Sequence, residues 1–304
     1  MLIFACSDKG GTGRTVTTCN VAYQLSARGK DVIYLDFDFG SPTAGAIFEV
    51  PGVERGADFG GLHSYIRNKS TLKAVDIRKS TSRRALSDQP GRGGRLVLAP
   101  GDRAGGEFGM SAAAVKQTAE LFMQLETEYF ATIVDLSAGR SAAVQMVLRA
   151  LAAPALADSK VRWLLFHRWT RQHLLAANGL LFDERGILKE AEAAKLDVDE
   201  FLHRIRTIRT AVPDLRAPES AISGPQATWL QECDRQLDDL AGDLRLGSGI
   251  LLGSTPMEPM LQWREQLITP DDVSQGFANA ATQSAFAKLA SDLVDDQHWQ
   301  RLGA

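Results

Sequence analysis

The opening sixteen residues constrain this chain more than any other segment. Residues 2–16 read LIFACSDKGGTGRTV: an unbroken apolar run, then Gly10, Gly11 and Gly13, then a stretch with helical spacing. An apolar run broken so abruptly predicts a strand feeding a tight turn that opens a helix. Glycines in such a turn let the backbone curl until successive amide N–H groups converge. The positive end of the following helix points at the same place, so the turn is a cradle for phosphate oxygens. Thr15 brings a hydroxyl to where a phosphate-bound Mg²⁺ sits in such loops. The alternative is a glycine-rich strand–helix turn that binds nothing.

The rest of the chain continues the alternation. Further strands are expected at residues 31–36, 95–99, 130–135, 161–166 and 249–252, and helices near 13–28, 111–128, 140–152, 171–182 and 274–294. The strand segments are nearly continuous apolar runs, the mark of strands buried on both faces of a parallel sheet. The expected fold class is α/β: a doubly wound, mostly parallel sheet with helices on both faces. Its 304 residues suit a single domain over 1–304 carrying two insertions. Residues 52–94 form a basic loop insertion rich in Gly, Ser and Arg. Residues 188–243 form a mostly helical, acid-rich insertion with a proline-containing break at 211–225, and 204–208 is its best strand candidate.

Two further segments place carboxylates at strand ends. In residues 31–40, DVIYLDFDFG, period-2 geometry turns Asp36 and Asp38 the same way, at the carboxyl edge where such sheets bind ligands. A pair of solvated turn carboxylates is the competing reading. In residues 129–139, YFATIVDLSAG, an apolar strand ends in Asp135, which suits a carboxylate holding Mg²⁺ through water. Many strands end in Asp, so this signal is weak alone.

The general pattern G-x-x-x-x-G-K-[ST] fails twice here, with Asp8 at its first glycine and Arg14 at its lysine. The string nonetheless closely resembles K-G-G-x-G-K-[ST]-T, the deviant Walker A motif of the MinD/ParA family of P-loop ATPases. The likeness extends over residues 1–50, 95–182 and 247–294, and the chain also resembles an actinobacterial subgroup of variant P-loop proteins. It implies that Lys9, Gly10, Gly11, Thr12, Gly13, Arg14, Thr15 and Val16 bind nucleotide, with Pro256 on the base-side loop. By the same match Lys9 and Asp38 are catalytic, and Thr15, Asp36 and Asp135 surround the metal. ATP, or another nucleoside triphosphate, and Mg²⁺ are the implied cofactors. Relatives read adenine partly through an Asn after a late strand, which residues 204–210 lack.

Arg14 is the real departure. Lysine is a compact point charge; arginine is longer, planar and prefers forked contacts, so the exchange is not conservative. Arg14 can clamp phosphate while Lys9 supplies the point charge. It can bind nucleotide yet misplace the γ-phosphate. Or it can pair with Asp8 and block the site. A misplacement of about 1 Å costs ~100-fold in rate, whereas three inward amides still support binding. Retained binding with slow turnover is therefore expected: a weak Mg-dependent ATPase.

Other features narrow the role. Cys6, Cys19 and Cys233 are scattered, which opposes iron–sulfur or zinc-carrying relatives. No run reaches the ~18 apolar residues of a membrane span. Residues 291–301 are acidic, unlike a membrane-targeting helix, and no secretion signal opens the chain, so a cytoplasmic protein is expected. Net charge is −3, but residues 67–95 hold nine Lys/Arg against Asp76 and Asp88. That stretch is the candidate nucleic-acid surface, a solvated loop being the blander reading. Residues 162–173, with His167, Arg168, Trp169, Arg171 and His173, offer either a partner-binding or phosphate-facing patch or a core tryptophan beside exposed arginines. The signature lysine implies a nucleotide-dependent homodimer. The expected function is an ATP-switched homodimer that regulates or positions an unidentified protein partner. The alternative is a catalytically impaired pseudo-ATPase serving as a scaffold.

Overall fold

Leu2, Phe4 and Cys6 of the first strand, β1 (Leu2–Cys6), pack into one apolar cluster, while the intervening Ile3 and Ala5 pack into another. The second strand, β2 (Val32–Phe37), divides likewise, with Ile33, Leu35 and Phe37 on the first side and Val32 and Tyr34 on the second. A continuous apolar run thus satisfies two cores at once, because successive side chains leave a strand on opposite faces. The computed structural model describes residues 1–87, 93–103, 105–106, 108–213 and 224–300.

The other strands are β3 (Val75–Asp76), β4 (Leu96–Ala99), β5 (Ala131–Leu136), β6 (Val161–Arg168), β7 (Ile205–Val212) and β8 (Leu251–Pro256). They form one eight-stranded sheet in the order β3-β4-β2-β5-β1-β6-β7-β8. Every described pairing is parallel except that of the two-residue β3 with β4. Helices Ala112–Glu128, Ala142–Leu151 and Arg171–Phe182 cover one face. The first helix, α1 (Arg14–Ala27), and Ala280–Val294 cover the other. Phe4 stacks on Trp163 with ring centroids 5.0 Å apart and meets Phe122 edge-on, which locks the first face about β1. Helix starts follow their capping residues: Ser111 accepts from the Ala114 N–H and Ser141 from the Val144 N–H.

The chain leaves β1 toward one side of the sheet, returns through β5, and then builds β6, β7 and β8 on the other side. The order reverses beside β1, and ligands bind at the carboxyl ends of strands at such a switch point. The glycine turn after β1 lies there.

Three details differ from the sequence reading. The strand expected at 204–208 runs over Ile205–Val212, fully within the sheet between β6 and β8. Residues 249–252 begin as a turn of 3₁₀ helix, and the strand is Leu251–Pro256. The helix expected at 274–294 is split into Pro270–Ser274 and Ala280–Val294. Gly276 takes φ 72°, and the Phe277 and Ala278 N–H groups turn back to the Asp272 carbonyl, which ends the first piece. Most of the break expected at 211–225 lies outside the described residues, as do Asp88 and Arg92. Among the described residues, no helix is long and apolar enough to cross a membrane.

Candidate phosphate-binding site

Gly13 holds φ 73° as the residue capping α1, and Gly11 holds φ 69°. Both values lie in the left-handed region, where a Cβ is strained, so glycine is required for the turn to deliver its amides. A Cβ added at Gly10 or Gly11 would meet nothing within 4 Å, so no other part of the chain packs over the turn at these two positions. The loop is anchored from both sides. The Gly139 N–H donates to the Ser7 carbonyl at 2.7 Å. The Thr210 hydroxyl, at the end of β7, reaches the Thr12 carbonyl at 2.6 Å.

A cavity of about 280 Å³ opens against this turn, lined by Gly11, Thr12, Gly13, Val16 and Pro256. Those five were expected from the sequence. Thr210, Thr255, Gln262 and Glu265 join them and were missed, and Arg168 joins from the segment 162–173, for which a phosphate-facing patch was one expectation. They come from the carboxyl ends of β6, β7 and β8 and the loop beyond, and no sequence spacing links those segments to Gly11. Glu258 also borders the cavity, but its carboxylate accepts from the Asn279 N–H and the Thr282 hydroxyl. It therefore serves to fasten the start of helix Ala280–Val294.

Arg14, on the other side of the turn, does not pair with Asp8. Asp8 pairs with Arg140 at 3.4 Å. The Arg14 side chain runs inward, 6% exposed, beneath the loop. Its Nε donates to Asp135, one terminal nitrogen reaches Asp38 at 3.4 Å, and the other reaches the Ser7 hydroxyl at 3.3 Å. Asp135 and Asp38 hold this guanidinium above its usual pKa despite burial, so it is charged at every accessible pH. This is the forked geometry that distinguishes arginine from lysine.

Asp36 and Asp135 are register partners on β2 and β5. Asp36 accepts the Ala44 N–H at 3.0 Å and the Asp38 N–H at 3.3 Å, one on each carboxylate oxygen. Burial, with Asp135 alongside, lifts its pKa to about 8. Asp135 gives one oxygen to Arg14, and the other is buried without a hydrogen-bond partner. Among the described residues no three His, Cys, Asp or Glu side chains cluster so as to hold a metal ion. Of the three groups expected about Mg²⁺, only the half-buried Thr15, at the start of α1, is not engaged in these pairings. As arranged, the set does not fit a divalent ion: the cation facing Asp135 is Arg14. Asp38 is more open, with 26% of its side chain exposed, and it also accepts the Ser41 N–H.

With this geometry in view, the comparisons with known proteins are decisive. The model of the CobQ/CobB/MinD/ParA nucleotide binding domain matches residues 3–228. The chain belongs to that family. Its fold is that of solved members. The MinD of an Aquifex aeolicus MinC:MinD complex aligns with a TM-score of 0.61 and 16% identity, over 96% of this chain and 94% of that one. A Pyrococcus horikoshii MinD complexed with Mg-ADP gives 0.53 and 16%, over 97% and 96%. The pNOB8 ParA bound to nonspecific DNA gives 0.55 and 18%, over 96% and 97%. None of the curated proteins matches the chain.

The segment 162–173 contributes from its buried side. His167 is 1% exposed and Trp169 5%. The Trp169 indole N–H donates to Asp234 at 2.6 Å, and the Arg209 guanidinium lies 3.7 Å over its ring. Trp169 is thus a core tryptophan. Arg168 and Arg171 border a second, mostly apolar hollow of about 370 Å³ with Trp229 and Met257.

Proposed function

We propose that this chain is a nucleotide switch of the MinD/ParA type, in which a nucleoside triphosphate, ATP by likeness to its relatives, controls association with a second copy and thereby with a partner protein. The observation that carries this reading is the left-handed pair Gly11 and Gly13, both of which line the 280 Å³ cavity. Gly10, Gly11, Thr12, Gly13 and Thr15 are the proposed phosphate contacts, and Val16 and Pro256 the walls beside the ribose and base. Lys9, half-buried at the loop's rim, is the proposed contact to the partner copy's phosphates. Asp38 is the proposed group that orients the attacking water. Thr15 is the proposed neighbour of any Mg²⁺ that arrives with the nucleotide, while Asp36 and Asp135, expected beside the ion, are taken up by backbone N–H groups and by Arg14.

Hydrolysis is slow in this scheme. Arg14 draws on Asp38 and Asp135 together, so two carboxylates are restrained by a group that a lysine loop lacks. The sheet belongs to one domain over residues 1–304, with 52–94 and 188–243 as its elaborations. A protein partner is favoured over nucleic acid, because the basic stretch spends much of its charge internally. Arg83 pairs with Glu49 and Asp272, Arg95 with Asp31 and Glu128, and Lys79 with Asp76.

The test titrates ATP and ADP against the full chain while following affinity, mass and phosphate release. ATP-dependent doubling of mass, lost in Lys9→Ala, and phosphate release faster in Arg14→Lys than in the wild type are the expected results. Absence of nucleotide affinity would overturn the reading.

A further inference from the structure

We infer that Arg14 takes over the charge-neutralising part of a divalent ion, so that this chain binds nucleoside di- and triphosphates without needing a metal. The inference rests on the nucleotide reading above and deepens it. A phosphate tail entering a loop floored by ionised carboxylates is repelled unless a cation lies between them. At a separation of ~5 Å and an effective dielectric of ~20, one unscreened carboxylate weakens binding by roughly 250-fold.

Here the cation is part of the chain. The Arg14 guanidinium is nearly sealed from solvent and touches Asp135, Asp38 and the Ser7 hydroxyl with three different nitrogens. Guanidinium is weakly hydrated and permanently charged, so it tolerates this burial better than ammonium. A lysine at the same position carries one nitrogen and cannot bridge both carboxylates with Ser7 in the same fashion.

The neighbouring groups leave little for a metal to hold. One Asp135 oxygen and Asp38 already face Arg14, and both Asp36 oxygens accept backbone N–H groups, so only the second Asp135 oxygen is open. Mg²⁺ beside Asp135 would share that carboxylate with the Arg14 cation, so it would find the charge it comes to neutralise already met. Repulsion between the two cations offsets what the ion gains there, so affinity should be nearly indifferent to it.

The experiment measures equilibrium binding of a fluorescent ADP to the full-length protein in excess Mg²⁺ and in EDTA. Wild-type affinity is expected to agree within about threefold between the two media, and Arg14→Lys to lose about tenfold or more in EDTA. Wild-type binding that is tight in Mg²⁺ and falls tenfold or more in EDTA overturns this inference alone. An Arg14→Lys variant as indifferent to metal as the wild type overturns it too, by removing arginine as the cause. No binding in either medium overturns the nucleotide reading and this inference with it. The wild-type comparison decides the matter alone should the variant fail to fold.

Discussion

The Thr210 hydroxyl donates to the Thr12 carbonyl at 2.6 Å, so a strand two-thirds of the way along the chain is fastened directly to the phosphate loop. The same hydroxyl lies 3.3 Å from the His167 carbonyl, which ties β6, β7 and the loop into one unit. Thr210 is buried, and valine replaces it with the same shape and no hydroxyl. Thr210→Val should lower unfolding free energy by about 1–3 kcal/mol, because it leaves a buried carbonyl short of its donor. It should also weaken nucleotide binding several-fold by loosening the loop. Urea unfolding and a fluorescent-nucleotide titration check both parts; unchanged affinity would separate the anchor from the cradle.

Gly13 meets no atom closer than 3.9 Å where a Cβ would stand, so its constraint is dihedral and not steric crowding. At φ 73°, Gly13→Ala should cost roughly 1–2 kcal/mol if the turn is kept. The strain is relieved by reshaping the turn, so nucleotide affinity should drop more than stability does. Ala at Gly249, with no positive φ and open surroundings, is the matched control, expected to change neither.

Asp38 touches the site from its open edge, whereas Asp135 and Asp36 are sealed within it. Replacing Asp38 by Asn keeps the shape and removes the basic carboxylate. Phosphate release should fall by about 100-fold, the usual worth of a positioned general base, with nucleotide affinity kept within about threefold. Equal rates in Asp38→Asn and wild type would remove Asp38 from the chemistry.

Burial pushes the His167 pKa down to about 4, while its Nδ1 faces the Arg168 carbonyl and its Nε2 has no hydrogen-bond partner. The folded protein therefore keeps this ring neutral at pH values where the unfolded chain protonates it. The stabilising difference is complete above about pH 6.5 and is lost as the pH falls toward 4. His167→Gln should flatten the stability profile in that window by on the order of 3 kcal/mol. Denaturant midpoints of both proteins at pH 7 and pH 5 provide the comparison; parallel profiles would contradict it.

The loop and the strands around it were legible because their signals are local. Leu2–Cys6 is apolar throughout, Gly11 and Gly13 stand where the left-handed turn favours glycine, and Asp135 ends an apolar run. Strand ends were read short by up to four residues, as with β7 and β8, whose last residues are polar or lie at the open edge of the sheet. Thr210, Thr255 and Glu265 could not be assigned to the cavity, since parallel strands bring them there through crossovers that leave no spacing in the chain.

By itself the sequence determined that an α/β sheet would form and that its first strand would end in a glycine turn opening a helix, because period-2 burial and glycine dihedrals act within a few residues. Only the tertiary structure decided what Arg14 faces. A guanidinium is long enough to reach several partners, and its choice of Asp135 and Asp38 over Asp8 depends on β2 and β5 lying side by side beneath the loop.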